Sequence, residues 1–121
     1  MVKCNCMILS SACRPIADVV FLLDGSDSIS DDEFLQQKEL IQRFLQFSDV
    51  TADTVRVGAV VVSSGIGDSV PLAARDNMTV LTSAITSLSQ SMEGSRLDLG
   101  LTKMEQMLST DGKLKLWLTH R

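Results

Sequence analysis

Asp18-Val19-Val20-Phe21-Leu22-Leu23-Asp24-Gly25-Ser26-Asp27-Ser28-Ile29-Ser30 is the stretch on which the fold turns. Residues 19–23 are apolar without a break, the pattern of a strand buried on both faces. The run stops at a carboxylate, Asp24, and hydroxyls follow at alternate positions, Ser26 and Ser28, in the pattern D-x-S-x-S. Three hard oxygen side chains then stand at the carboxyl end of a strand, where open α/β sheets place their sites. Such donors suit Mg2+, Ca2+ or Mn2+ and no softer ion.

The chain beyond this loop alternates helix and strand patterns. Ser30-Asp31-Asp32-Glu33 reads as a capping box, with a Ser N-cap, a Glu three residues on and acids facing the positive end of the helix dipole. The helix it opens runs to about Phe47. Phe34, Leu40, Ile41, Phe44, Leu45 and Phe47 form its apolar face; Gln36, Gln37, Lys38, Glu39, Gln42 and Arg43 form its wet face. Residues 55–62, rich in valine, predict a second strand. A turn over 63–68 leads to a short edge strand at 69–72, blunted by Pro71. Val80, Leu81, Ala84, Ile85 and Leu88 keep helical spacing behind an Asn77 N-cap. Ser95-x-x-Asp98 predicts another helix start, with Leu99, Leu101, Met104, Met107 and Leu108 as its stripe. Asp111-Gly112 is a turn, and 114–118 a last short strand. This alternation predicts an α/β fold around a parallel sheet.

Phe-Leu-Leu-Asp-Gly-Ser-Asp-Ser-Ile-Ser (21–30) resembles the first metal-site motif of the von Willebrand factor A family. The surroundings are similar too: Ala17-Asp18 leading into the strand, the 55–62 strand, the segment 72–88, and Gly94-Ser95-Arg96-Leu97-Asp98-Leu99-Gly100-Leu101 as a glycine-containing loop and helix. The likeness is strongest to the A-type modules of collagen VI-like and matrilin-like proteins. It implies a Rossmann-like, doubly wound, mostly parallel sheet that is incomplete at the C-terminus. It implies that Asp24, Ser26 and Ser28 are metal ligands. The family's threonine position falls on Leu97, which cannot coordinate, and its strand-ending aspartate is missing or replaced by His120. The metal site is therefore read as degenerate, with Mg2+ or Mn2+ held weakly and completed by an acid of the partner. The resemblance further implies a secreted, extracellular-matrix interaction module that binds collagens or cell-surface receptors and is not an enzyme.

Composition narrows the alternatives. The 121 residues suffice for one domain, and 45% apolar residues can fill its core. A net charge of −4 is the wrong sign for a nucleic-acid footprint, and no apolar run is long enough to span a bilayer. Cys4, Cys6 and Cys13 all fall in residues 1–15, read as an irregular leader before a partial domain at 16–121. A soft-metal site there would lack a fourth ligand. Asn5 and Ser10-Ser11 interrupt the apolar patch that a signal peptide would need.

Other chemistries fit the loop less well. An EF-hand beginning at Asp24 needs Gly and Glu where Ile29 and Leu35 stand. An aspartyl-phosphate enzyme wants a second acid at Ser26, and neither a dinucleotide fingerprint nor a Walker lysine occurs. A serine nucleophile would depend on His120, the chain's one histidine. A small metal-dependent α/β enzyme is thus the alternative reading, and a fragment without activity of its own another. Asn77-Met78-Thr79 is an N-glycosylation sequon in a polar stretch before a helix.

Overall fold

A computed structural model describes residues 3–4, 15–47, 55–72, 77–91, 93–109 and 116–118, with side chains over 18–47, 55–72, 77–91 and 93–109. The apolar run becomes the strand β2 (Pro15–Asp24), around which the sheet is built. Along one side it pairs in parallel with β3 (Val55–Val62), in unbroken register from Ala17↔Val55 to Asp24↔Val62. Its other side takes β1 (Lys3–Cys4), antiparallel, and β5 (Leu116–Leu118), parallel opposite Val20 to Leu22. β1 lies within the stretch read as an irregular leader. The next strand after β3 in sequence, β4 (Ile66–Val70), pairs antiparallel with β3 across a bulge between Val60 and Val62.

The two faces of β2 and β3 separate by residue parity, as strand geometry demands. Val19, Phe21, Leu23, Val55, Val57, Ala59 and Val61 pack beneath α1 (Asp31–Phe47) and α2 (Met78–Thr86). Val20, Leu22, Val60 and Val62 pack with Met104 and Leu108 of α3 (Leu97–Ser109). Both faces are thus dry, which is why the strands read as valine and leucine runs rather than as alternating patterns. α3 approaches closely because residue 100 is glycine: a Cβ there would stand 2.6 Å from a Leu22 methyl. At the start of the parallel pair, the buried Asp18 carboxylate takes Nε and Nη2 of Arg56, its direct cross-strand neighbour.

Several expectations need correction. The 63–68 turn is shorter than expected, because Ile66 already pairs with Val62 and the edge strand ends at Val70, before Pro71. Gln37 does not lie on the wet face of α1. It is buried with Phe34, Ile41 and Leu45, at the spacing i, i+3, i+7, i+11 of one helix stripe. Leu40 and Phe47 instead lie outside that stripe and are exposed. On α3 the sheet-facing row is Gly100, Met104 and Leu108, which turns Leu101 to the surface. The Ser95 start is not made: the first α3 bonds run from Leu99 and Gly100 N–H to the Arg96 carbonyl, and the helix begins at Leu97. Cys6, Cys13, Met92 and His120 lie outside the described residues.

Candidate functional site

β2 delivers Asp24 to the carboxyl end of the parallel strands, and the next residue continues the ladder, Gly25 N–H donating to the Val62 carbonyl at 2.8 Å. Glycine suits this close approach, since a Cβ would stand 2.7 Å from a Val61 methyl and one of the two would have to shift. The chain then turns sharply. Ser26 N–H donates to Asp24 Oδ1 at 3.0 Å, and Ile29 N–H to the Ser26 carbonyl at 3.1 Å. This local bonding is the usual use of Asp and Ser in a turn. The Ser26 and Ser28 hydroxyls are 3.0 Å apart and share a hydrogen bond. Asp24 and Ser26 are buried, whereas Ser28 is exposed. The D-x-S-x-S spacing therefore does bring its three oxygen side chains onto one loop.

Two glutamines hold that loop, and neither announces itself in the motif. Gln37 clasps the Asp24 main chain from both sides: its Oε1 accepts from Asp24 N–H at 2.8 Å, and its Nε2 donates to the Asp24 carbonyl at 2.9 Å. Gln90, beyond α2, donates from Nε2 to the carbonyls of Ser26 and Ile29 at 3.0 and 2.6 Å. Its Oε1 is buried without a hydrogen-bond partner among the described residues. The spacing of Gln37 from Phe34 and Ile41 allows it on their stripe, but nothing in residue order marks Asp24 as its partner, and Gln90 carries no signal at all. The loop then leads into α1 through a completed capping box, Glu33 N–H to Ser30 Oγ and Ser30 N–H to Glu33 Oε2.

The neighbouring loops are tied to one another by polar contacts. The hydroxyls of Ser63 and Ser91 are hydrogen-bonded, Arg96 N–H donates to the Ser63 carbonyl, and Ser64 donates to Glu93. Asp68 Oδ2 accepts from both the Ser89 hydroxyl and its N–H. These bonds, the hydroxyl first, hold the Asp68 carboxyl below its ordinary value. The exposed Asp98 likewise lies below the usual carboxylate range, chiefly because both its oxygens accept from Arg96, at 2.9 Å each.

A divalent ion is what the family resemblance implies for this loop. In donor type Asp24, Ser26 and Ser28 suit one: all are hard oxygens on one turn. In charge they fall short, with one carboxylate, already accepting from Ser26 N–H, and two neutral hydroxyls already bonded to each other. Leu97, at the threonine position, packs against the apolar cluster of Leu22, Val62 and Met104. The nearby acid Asp98 is committed to Arg96. Among the described residues no three His, Cys, Asp or Glu side chains group to hold a metal. The residues do not fit a tightly held resident ion.

Comparison with known proteins agrees with the geometry. The sequence profile of the von Willebrand factor type A domain matches residues 18–114. The mouse collagen alpha-5(VI) chain is 31% identical over 93 residues, which are 77% of this chain and 4% of the collagen chain. Mouse matrilin-2 is 37% identical over 60 residues, 49% of this chain and 6% of the matrilin. The chain thus spans a small fraction of the curated relatives it matches. Among solved structures, proximal thread matrix protein 1 of the mussel byssus, with a zinc-occupied MIDAS motif, superposes with a TM-score of 0.74. That match has 19% identity and covers 85% of this chain and 28% of the mussel chain. From the D-x-S-x-S turn, the doubly covered sheet and the matched span together, the chain belongs to the von Willebrand factor type A domain family.

Proposed function

We propose that the chain is a non-enzymatic interaction module of the extracellular matrix. It binds protein partners, collagens or cell-surface receptors, through the carboxyl end of its sheet around Asp24, Ser26 and Ser28. The observation that carries this reading is the convergence of those three side chains on a turn held by Gln37 and Gln90, with Ser28 open to solvent. The kinship to collagen VI and matrilin chains supports a matrix setting. The hydroxyls of Ser26 and Ser28 are bonded to each other, an arrangement that suits a docking rim better than a nucleophile with its base. The zinc-bearing mussel protein supports some role for a divalent ion. With one carboxylate, this loop binds Mg2+ or Mn2+ weakly, and an acidic group of the partner makes up the missing charge.

Adhesion of the purified chain to collagen-coated surfaces, with Mg2+ or Mn2+ and after chelation, tests the reading. Asp24→Asn keeps the acceptor for Ser26 N–H and removes the charge, so the fold should persist while cation-dependent adhesion is lost. Adhesion that is unchanged in Asp24→Asn means that the partner reads another surface.

A further inference from the structure

We propose that Asn77 carries an N-linked glycan, and that it does so without giving up its place as the cap of α2. The proposal rests on the extracellular reading above. Asn77 is the N-cap residue, with extended backbone (φ −130°, ψ 115°), and its Oδ1 accepts from Thr79 N–H at 2.9 Å and Val80 N–H at 3.4 Å. Capping therefore uses only the carbonyl half of the carboxamide. The Nδ2 half makes no hydrogen bond to the described residues, and Asn77, Met78, Thr79 and Val80 are all exposed.

The modification needs the half of the carboxamide that the helix leaves unused. Nδ2 attacks the anomeric carbon of an oligosaccharide carried on a lipid diphosphate. The C–N bond forms as the C–O bond to the diphosphate breaks; the lipid diphosphate leaves with that electron pair, and the nitrogen gives up one proton. The product is a secondary amide whose carbonyl oxygen still accepts from Thr79 and Val80, so the folded chain tolerates the sugar. The chain's other asparagine, Asn5, is followed by Cys6-Met7 and is no sequon.

Placement also favours it. α2 points its C-terminal end toward the D-x-S-x-S loop: Lys38, in the first half of α1, reaches the Thr86 and Leu88 carbonyls, and Gln90 reaches Ser26. Asn77 therefore lies a helix length from that rim, about 13 Å for nine residues. A glycan there leaves the proposed docking rim open.

The full chain should be translated with endoplasmic-reticulum membranes behind a cleavable signal peptide. Behind the signal, a mass gain removable by peptide N-glycosidase is expected, leaving aspartate at position 77 by mass spectrometry. Thr79→Ala and Asn77→Asp should abolish the gain and keep the native circular dichroism, because each leaves the cap acceptor and its N–H donors in place. An unmodified chain behind the signal, beside a modified control glycoprotein, overturns the proposal, as does a gain that survives Asn77→Asp. A gain lost in both variants upholds the site whatever the adhesion assay returns, and loss of adhesion with the site modified counts against the matrix reading alone.

Discussion

Gln37 shows how one polar side chain can decide whether a binding loop keeps its shape. It is buried in the stripe that α1 turns to the sheet, yet its amide meets both backbone polar groups of Asp24. A buried N–H deprived of its partner costs about 1–3 kcal/mol. Gln37→Leu conserves volume and removes both bonds, so it should lower stability by about that amount in a urea unfolding curve. Gln36→Leu, one residue away on the exposed face, should stay within about 0.5 kcal/mol of wild type. Equal effects of the two would mean that the clasp contributes nothing. Gly25 is the other residue on which the loop depends, and its reason is steric: any side chain would have to displace the Val61 methyl.

The helices are fixed by different devices at each end. α1 begins with reciprocal Ser30–Glu33 bonds and three acids in its first turn, all readable from residue order alone. Ser30→Ala should cost about 1 kcal/mol, measured as a lower urea midpoint at unchanged slope. α2 begins at the Asn77 cap and ends at a device no local pattern reveals: Lys38 of α1 donates to the Thr86 and Leu88 carbonyls, and Gln42 to the Thr86 hydroxyl. Those contacts join residues 44 to 50 positions apart, which explains their absence from any local reading. α3 begins later than the Ser95-x-x-Asp98 pattern suggests, because Asp98 bonds the Arg96 guanidinium and the Arg96 carbonyl takes the first helical bonds.

In the molecule as a whole, β2 and β3 form the shared spine, covered by α1 and α2 on one face and by α3 on the other. Asp18 and Arg56 lock their register at the end opposite the loop. Removing one member of a buried pair strands the other charge, so Arg56→Ala should destabilise the chain by about 3–5 kcal/mol in the same urea measurement. A variant near wild type would show that the pair is dispensable to the spine. Because the spine presents Asp24 beside Val62, a shift of register would also displace the candidate site.

The order of residues by itself determined the parts governed by local physics. These are the two buried strands, whose unbroken apolar runs suit a sheet covered on both faces; the Ser30 box; the Asn77 cap; and the oxygen-bearing turn at Asp24, Ser26 and Ser28. The antiparallel course of β4 and the choice of which apolar residues face inward were decided only in three dimensions. Leu40, Phe47 and Leu101 are as apolar as their buried neighbours, and helix phase against the sheet left them outside. The clasps of Gln37, Gln90 and Lys38 belong to the same class. Each satisfies a backbone group far away in sequence, and a buried polar group must find its partner wherever the packed chain places one.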